Sequence, residues 1–157
     1  MKVWRLARRR FAPTAAAAYS GEGAALRGGR WNSRGVRIAY ASTNEGLALV
    51  EYLVHLDIAY APTDLVFYPA ELPDDAVENV VSIPDGWDVS PPSRATADVG
   101  DIFVAAAKHL ALRVPSAVLP FAWNVMINPD HHRFREIAFD DPVPFTIDER
   151  LLRRLRP

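Results

Sequence analysis

A carboxylate inside an apolar helical stripe limits the folds open to this chain. From about Thr43 to Leu56, and on to Ile58, the residues Leu47, Val50, Val54 and Ile58 recur at the spacing of one helix face, and Glu51 falls within that face. Such a stripe has to be laid against a core, so the helix carries a carboxylate toward the interior, where an unpaired charge is costly. The fold must therefore supply Glu51 with an ion-pair partner, a proton or a polar cleft. Ser42, Thr43 or Asn44 can cap the helix, because their side-chain oxygens accept the orphan amide protons of the first turn. His55 lies one turn beyond Glu51, within reach of the same face.

The segments around this helix read mainly as strands. Met1 to Ala7 alternates Val3, Arg5 and Ala7 with Trp4 and Leu6, the period of a first strand, and residues 8–28 read as a largely irregular run to Gly28-Gly29. Val36, Ile38 and Tyr40 alternate with Arg37, Ala39 and Ala41 after the turn residues Ser33-Arg34-Gly35, which predicts a hairpin that sets Arg30 opposite Tyr40. Further strands are expected over Asp64–Pro69, Val77–Ile83, Val114–Leu119 and Trp123–Ile127, with one or two more between Ile137 and Ile147. A second helix, capped by Thr96 or Asp98, is predicted to run to about Leu112, and a short basic helix over Asp148–Leu155. Strands outnumber helices in mixed order, so the expected fold is α+β, a single domain over residues 1–157 with a central, mostly antiparallel sheet and flanking helices.

Composition removes several classes of function. The 157 residues hold no cysteine, which excludes disulfides, thiolate nucleophiles and Cys-based zinc sites. A net charge of -1 argues against direct nucleic-acid binding, which draws most of its affinity from neutralised phosphates. No run is long and apolar enough to span a bilayer and the first residues lack a signal-peptide pattern, so no membrane attachment and a cytoplasmic location are expected. His131-His132, near Asp130 and Glu136, could suggest a metal, but neighbours on an extended chain point to opposite faces, and no metal site is expected. The glycine pairs match neither a P-loop nor a dinucleotide fingerprint.

Gly29-Arg30-Trp31-Asn32, then Gly35, Tyr40-Ala41-Ser42, Ala48-Leu49-Val50-Glu51-Tyr52-Leu53-Val54-His55-Leu56, and later Val114-Pro115-Ser116, Asn124 and Ile127-Asn128-Pro129 together resemble the RES domain family. The likeness runs from about residue 3 to the end. The arginine, glutamate and serine that name the family match Arg30, Glu51 and Ser116. This resemblance implies a toxin of a bacterial type II toxin–antitoxin pair, an Xre-type helix-turn-helix antitoxin as partner, and a fold similar to ADP-ribosyltransferases. It allows a homodimer. It also implies NAD⁺ as substrate rather than bound cofactor, with the nicotinamide–ribose bond broken and either phosphate as co-substrate or a protein as acceptor.

The residue chemistry is compatible with that implication. Nicotinamide in NAD⁺ is already a cationic leaving group, so an anionic neighbour and good positioning suffice, and no metal or redox group is required. Glu51 is the candidate for the nicotinamide-side ribose and its developing positive charge, Arg30 for the pyrophosphate or incoming phosphate, and Tyr40 for stacking on nicotinamide or ribose. Ser116 and Asn124 are candidate positioning groups, and His55 completes the substrate-binding set. Trp31 is counted with that set as the neighbour of Arg30, although its place in the strand turns it toward the core. A noncatalytic binding module, with Arg30 and Glu51 paired inside the fold, is the alternative from a different class.

Overall fold

The computed structural model describes residues 1–57 and 61–155; Ile58 of the helical stripe lies outside the described residues. In chain order the elements are β1 (Lys2–Arg8), α1 (Ala15–Ala18), α2 (Glu22–Arg27), β2 (Ala39–Ser42), α3 (Glu45–Val54), β3 (Leu65–Glu71), β4 (Val77–Asn79), α4 (Arg94–Ala106), β5 (Ala111–Pro115), β6 (Trp123–Ile127), β7 (Ala138–Phe139), β8 (Val143–Phe145) and α5 (Glu149–Leu155). One curled sheet runs β4-β5-β6-β2-β1-β3-β7, with β8 also on β3. Every pairing is antiparallel except β4 with β5, so the expected α+β class and mostly antiparallel sheet are found.

The sheet separates two apolar layers. Val3, Ala39, Ala41, Val125 and Ile127 face a layer that includes Tyr19 and Tyr68, whereas Leu6 and Trp4 face α3 through Ala48 and Leu53. Farther along that second side, α4 lays Phe103 on Trp31, Ile38, Val114 and Met126. Asn44 caps α3, its side chain accepting the Leu47 amide proton at 2.8 Å.

Several local expectations are corrected. The cap of α4 is Ser93, which accepts the Thr96 amide at 3.3 Å and leaves Thr96 and Asp98 inside the helix, and the strand expected over Val114–Leu119 ends at Pro115, where Ser116 turns its hydroxyl to the loop amides. Residues 8–28 contain two short helices. Four alanines cannot hold a helix by propensity, but Thr14 accepts the Ala17 amide at 3.1 Å and Tyr19, wholly buried, donates its hydroxyl to the Tyr68 carbonyl at 2.7 Å. The helix predicted to Leu112 stops at Ala106, with Ala107 left-handed at φ 46°. Leu110 and Ala111 are instead drawn into the sheet, where the Leu110 carbonyl accepts the Asn128 amide at 2.9 Å. The strand expected over Val77–Ile83 is shorter, ending at Asn79.

The hairpin about Gly35 does not form. Gly35 does turn the chain, at φ 89°, but Gly29 donates to the Asn32 carbonyl at 2.9 Å in a tight local turn, and β2 takes β1 and β6 as its neighbours. Arg30 therefore does not stand across a ladder from Tyr40. The turn is clamped from outside by α4: Ser33 donates its amide to Asp101 at 2.9 Å, and Gly100 meets Trp31 so closely that a Cβ there would lie 1.7 Å from the Trp31 carbonyl oxygen.

That contact makes Gly100 a place where one methyl group must displace a helix from a main-chain oxygen. Gly100→Ala is expected to lower stability in urea unfolding by roughly 1–3 kcal/mol, the range of overpacking. Gly23→Ala in α2, where an added Cβ meets nothing within 4 Å, is expected to raise it by about 0.5–1 kcal/mol through helix propensity.

Candidate functional site

Glu51 is half-buried on the face of α3 turned to the sheet. Its Oε1 receives two hydrogen bonds from neutral donors, the Ser116 hydroxyl at 2.6 Å and the Asn124 side-chain amide at 2.5 Å. Ser116 follows β5 directly, and its Oγ accepts the amides of Val118 at 3.1 Å and Leu119 at 3.0 Å. With both lone pairs of that oxygen engaged, its one proton is directed at Glu51. Asn124 sits on β6 opposite Ser42 of β2, and the Ser42 hydroxyl donates to Asn124 Oδ1 at 2.7 Å. Glu51 Oε2 has no hydrogen-bond partner among the described residues. Three of the predicted residues, Glu51, Ser116 and Asn124, are thus brought into one network, and no arginine among the described residues forms an ion pair with Glu51.

Tyr40 belongs to the same sheet face two positions before Ser42. Its phenol donates to Asn32 Oδ1 at 2.8 Å and accepts from the Trp31 amide. Asn32 is almost wholly buried, and its Nδ2 donates to the carbonyls of Ala24, Ser33 and Val36, each at 3.0 Å. Tyr40 is therefore fixed by the Gly29–Ser33 turn after all, through a side chain rather than a ladder. Burial pushes the phenol well above its ordinary pKa, so it holds its proton and orients rather than transfers.

The other predicted residues are placed differently. Arg30 directs Nη1 to the carbonyl oxygens of Trp87 and of Val89, the latter at 2.9 Å; it holds the 84–92 loop and does not pair with Glu51. Trp31 is core, stacked on Trp87 with ring centroids 5.8 Å apart, and does not line the site. His55 is the exposed C-cap of α3, and among the described residues its ring makes no bond to Glu51. His131 and His132 do not point apart, because His131 caps a 3-10 helix rather than lying on an extended chain, and their rings lie 4.3 Å apart. Among the described residues no group of three or more His, Cys, Asp or Glu could hold a metal ion, and no helix is long and apolar enough to cross a membrane.

Sequence reasoning assigned no role to Arg5. β1 meets β2 at the pair Trp4↔Ser42 and there the strands part, while β1 and β3 stay in register along seven pairs. Arg5 enters the gap, donating Nη1 to the Tyr40 carbonyl. Its Nε is buried without a partner, and no carboxylate pairs with it among the described residues. Burial pulls its pKa below the ordinary value, against the opposing influence of the Tyr19 and Tyr40 phenols. The signal was legible in principle as a charge between Val3 and Ala7 on the apolar side of an alternating strand.

The raised phenol of Tyr40 has a pH consequence. The fold favours its neutral form, so its contribution is full below the unfolded value of 10.0 and is lost as pH rises through the folded one. Tyr40→Phe is expected to cost about 1–3 kcal/mol at neutral pH, since Asn32 Oδ1 loses its buried donor, and to make the loss of stability above about pH 10 shallower, both read from urea unfolding across pH.

The chain is similar to known proteins along most of its length. The RES domain profile matches residues 2–148. The chain is 32% identical to Toxin Res of Photorhabdus laumondii over 98% of each protein. It is 32% identical to the Prs ADP-ribosylating toxin of a Sphingobium species, over 86% of this chain and 87% of that one. The fold is similar to a chain of the MbcT–MbcA toxin–antitoxin complex of M. tuberculosis, with a TM-score of 0.74 at 18% identity, covering 99% of this chain and 88% of that one. A helix-borne carboxylate held by a serine and an asparagine from a neighbouring hairpin, in a chain matched almost end to end, belongs to a protein of the RES domain family.

Proposed function

We propose that this chain is the toxin of a toxin–antitoxin pair and that it consumes NAD⁺ by breaking the nicotinamide–ribose bond. The observation that carries this is Glu51, a carboxylate held by one oxygen through neutral donors, with the other oxygen free. Neutral donors orient the group without cancelling its charge, and a fixed charge in a poorly solvated cleft stabilises a developing cation more strongly than one in water. In the reaction the C1′–N bond breaks, its electron pair leaves with nicotinamide, and the ribose carries oxocarbenium character. Glu51 Oε2 faces that charge and the ribose hydroxyls. A phosphate oxygen then forms the new bond to C1′.

Arg30 is the cationic side of the site in this reading. Arg30 spends Nη1 on the 84–92 loop and keeps the rest of its five-donor fork for a phosphate group. Tyr40 offers a ring held in one orientation for stacking. Action in the cytoplasm and restraint by a helix-turn-helix antitoxin complete the proposal. The relatives named as toxins and the solved neighbour, a toxin–antitoxin complex, support the toxin reading.

A second acceptor is favoured by one relative, which is named an ADP-ribosylating toxin; there a protein nucleophile would take the place of phosphate at C1′. Purified protein with NAD⁺, with and without phosphate, is expected to release nicotinamide, and absence of release under both conditions, and in lysate, rejects the proposal. Label from NAD⁺ that stays on a protein band in lysate selects the protein acceptor, and label confined to small molecules selects phosphate. Glu51→Gln is expected to lower turnover by roughly 10²-fold or more while the circular dichroism spectrum is retained.

A further inference from the structure

A carboxylate held by an asparagine inherits an ambiguity, because a side-chain amide turned by 180° presents an oxygen where it had presented NH₂. For Asn124 that rotation would set Oδ1 against Glu51 Oε1, an acceptor against an acceptor. Ser116 has its hydroxyl oriented by two amides of its own loop, and these do not reach Asn124. The group that does is Ser42. It is buried, at 4% exposure, directly across the β2–β6 ladder from Asn124, so both side chains rise from the same face of the sheet. The two oxygens lie 2.7 Å apart, and Oδ1 of an amide carries no proton, so the hydroxyl is the donor.

We propose that Ser42 is a positioning residue for the reaction. Its hydroxyl locks the Asn124 amide with NH₂ toward Glu51 and thereby fixes the direction of the free oxygen Oε2. The proposal rests on the reading of Glu51 as the reacting carboxylate. It separates two kinds of support: Ser116 acts on Glu51 directly, and Ser42 acts only through Asn124. Loss of the Ser42 hydroxyl leaves the amide free to rotate and Glu51 Oε1 with one assured donor. The ribose still binds, but the carboxylate no longer waits in one place, so the loss falls on kcat rather than KM.

The chain holds five asparagines and no glutamine, so its side-chain amide NMR spectrum is simple enough to follow one group. The Asn124 pair is identified by its disappearance in Asn124→Asp. In Ser42→Ala that pair is expected to shift or broaden, and kcat for nicotinamide release to fall roughly 10-fold at nearly constant KM, the scale of one orienting hydrogen bond. Ser42→Thr, which keeps the hydroxyl, is expected to restore both the resonance and most of kcat. An unmoved Asn124 amide in folded Ser42→Ala overturns the inference whether or not the wild-type protein turns over NAD⁺. So does a displaced amide with undiminished kcat, or a threonine variant that behaves like the alanine one. A wild-type protein that releases no nicotinamide is a separate failure, that of the reaction itself.

Discussion

Two neutral donors converging on one oxygen of Glu51 organise this molecule. A half-buried carboxylate needs compensation, and the commonest partner for it, an arginine, is abundant here: the chain has 18 basic residues, all but Lys2 and Lys108 arginines. None of the described ones takes the role. A guanidinium would have satisfied the carboxylate and neutralised it, leaving a structural ion pair. A serine hydroxyl and an asparagine amide satisfy Oε1 while leaving the negative charge available at Oε2. That choice of partners distinguishes the arrangement from an interior ion pair, and the pairing of Arg30 with Glu51 expected of a binding module is not found.

The network also explains why the sheet has the order it has. Glu51, Ser116 and Asn124 are far apart in sequence, and Ser42 is separated from Asn124 by 82 positions. They meet because β2 pairs with β6 and β6 with β5, which stacks Ser42, Asn124 and the start of the Ser116 loop on adjoining strands, while α3 crosses the same face immediately after β2. Two short connections do most of the aiming. One is the turn from β2 into α3, capped by Asn44. The other is the loop after β5, whose amides set the Ser116 hydroxyl. The Gly29–Ser33 turn is a third support, clamped by Gly100 and Asp101 of α4 and passing its rigidity to Tyr40 through Asn32.

What the sequence shows about this site follows the range of the interactions. Glu51 is legible because its anomaly is local: four residues of context reveal a charge in an apolar stripe. The cap at Asn44, the turn at Gly35 and the hairpin strand at Trp123–Ile127 are legible for the same reason. The proposed hairpin fails because periodicity in residues 36–41 announces a strand without naming its neighbours. Those neighbours are β1 and β6, and Asn32, read only as part of a motif, spends its amide on the carbonyls of Ala24, Ser33 and Val36 that a ladder would have used differently. The end of α4 fails by the same competition, since Leu110 and Ala111 gain more from joining a buried sheet than from another helical turn.

The arginines show how far residue type alone can mislead. Most of those with a visible partner sit in surface pairs: Arg8 with Asp64, Arg37 with Asp130, Arg94 with Asp98, Arg133 with Glu136 and Arg150 with Asp148. Pairs of that kind contribute little. Arg30, singled out by its motif, faces carbonyl oxygens of a loop and is only partly free. Arg5, like Arg113, has a buried Nε without a partner, and it lies where β1 and β2 separate after the pair Trp4↔Ser42. Holding an unpaired cation there costs stability, and among the described residues no carboxylate offsets it: Tyr19 and Tyr40 are phenols, and the Tyr40 carbonyl accepts from Nη1. Arg5 and Glu51 lie on opposite faces of the sheet, and each is a charge that the fold meets with neutral partners, a carbonyl for the one and a hydroxyl and an amide for the other.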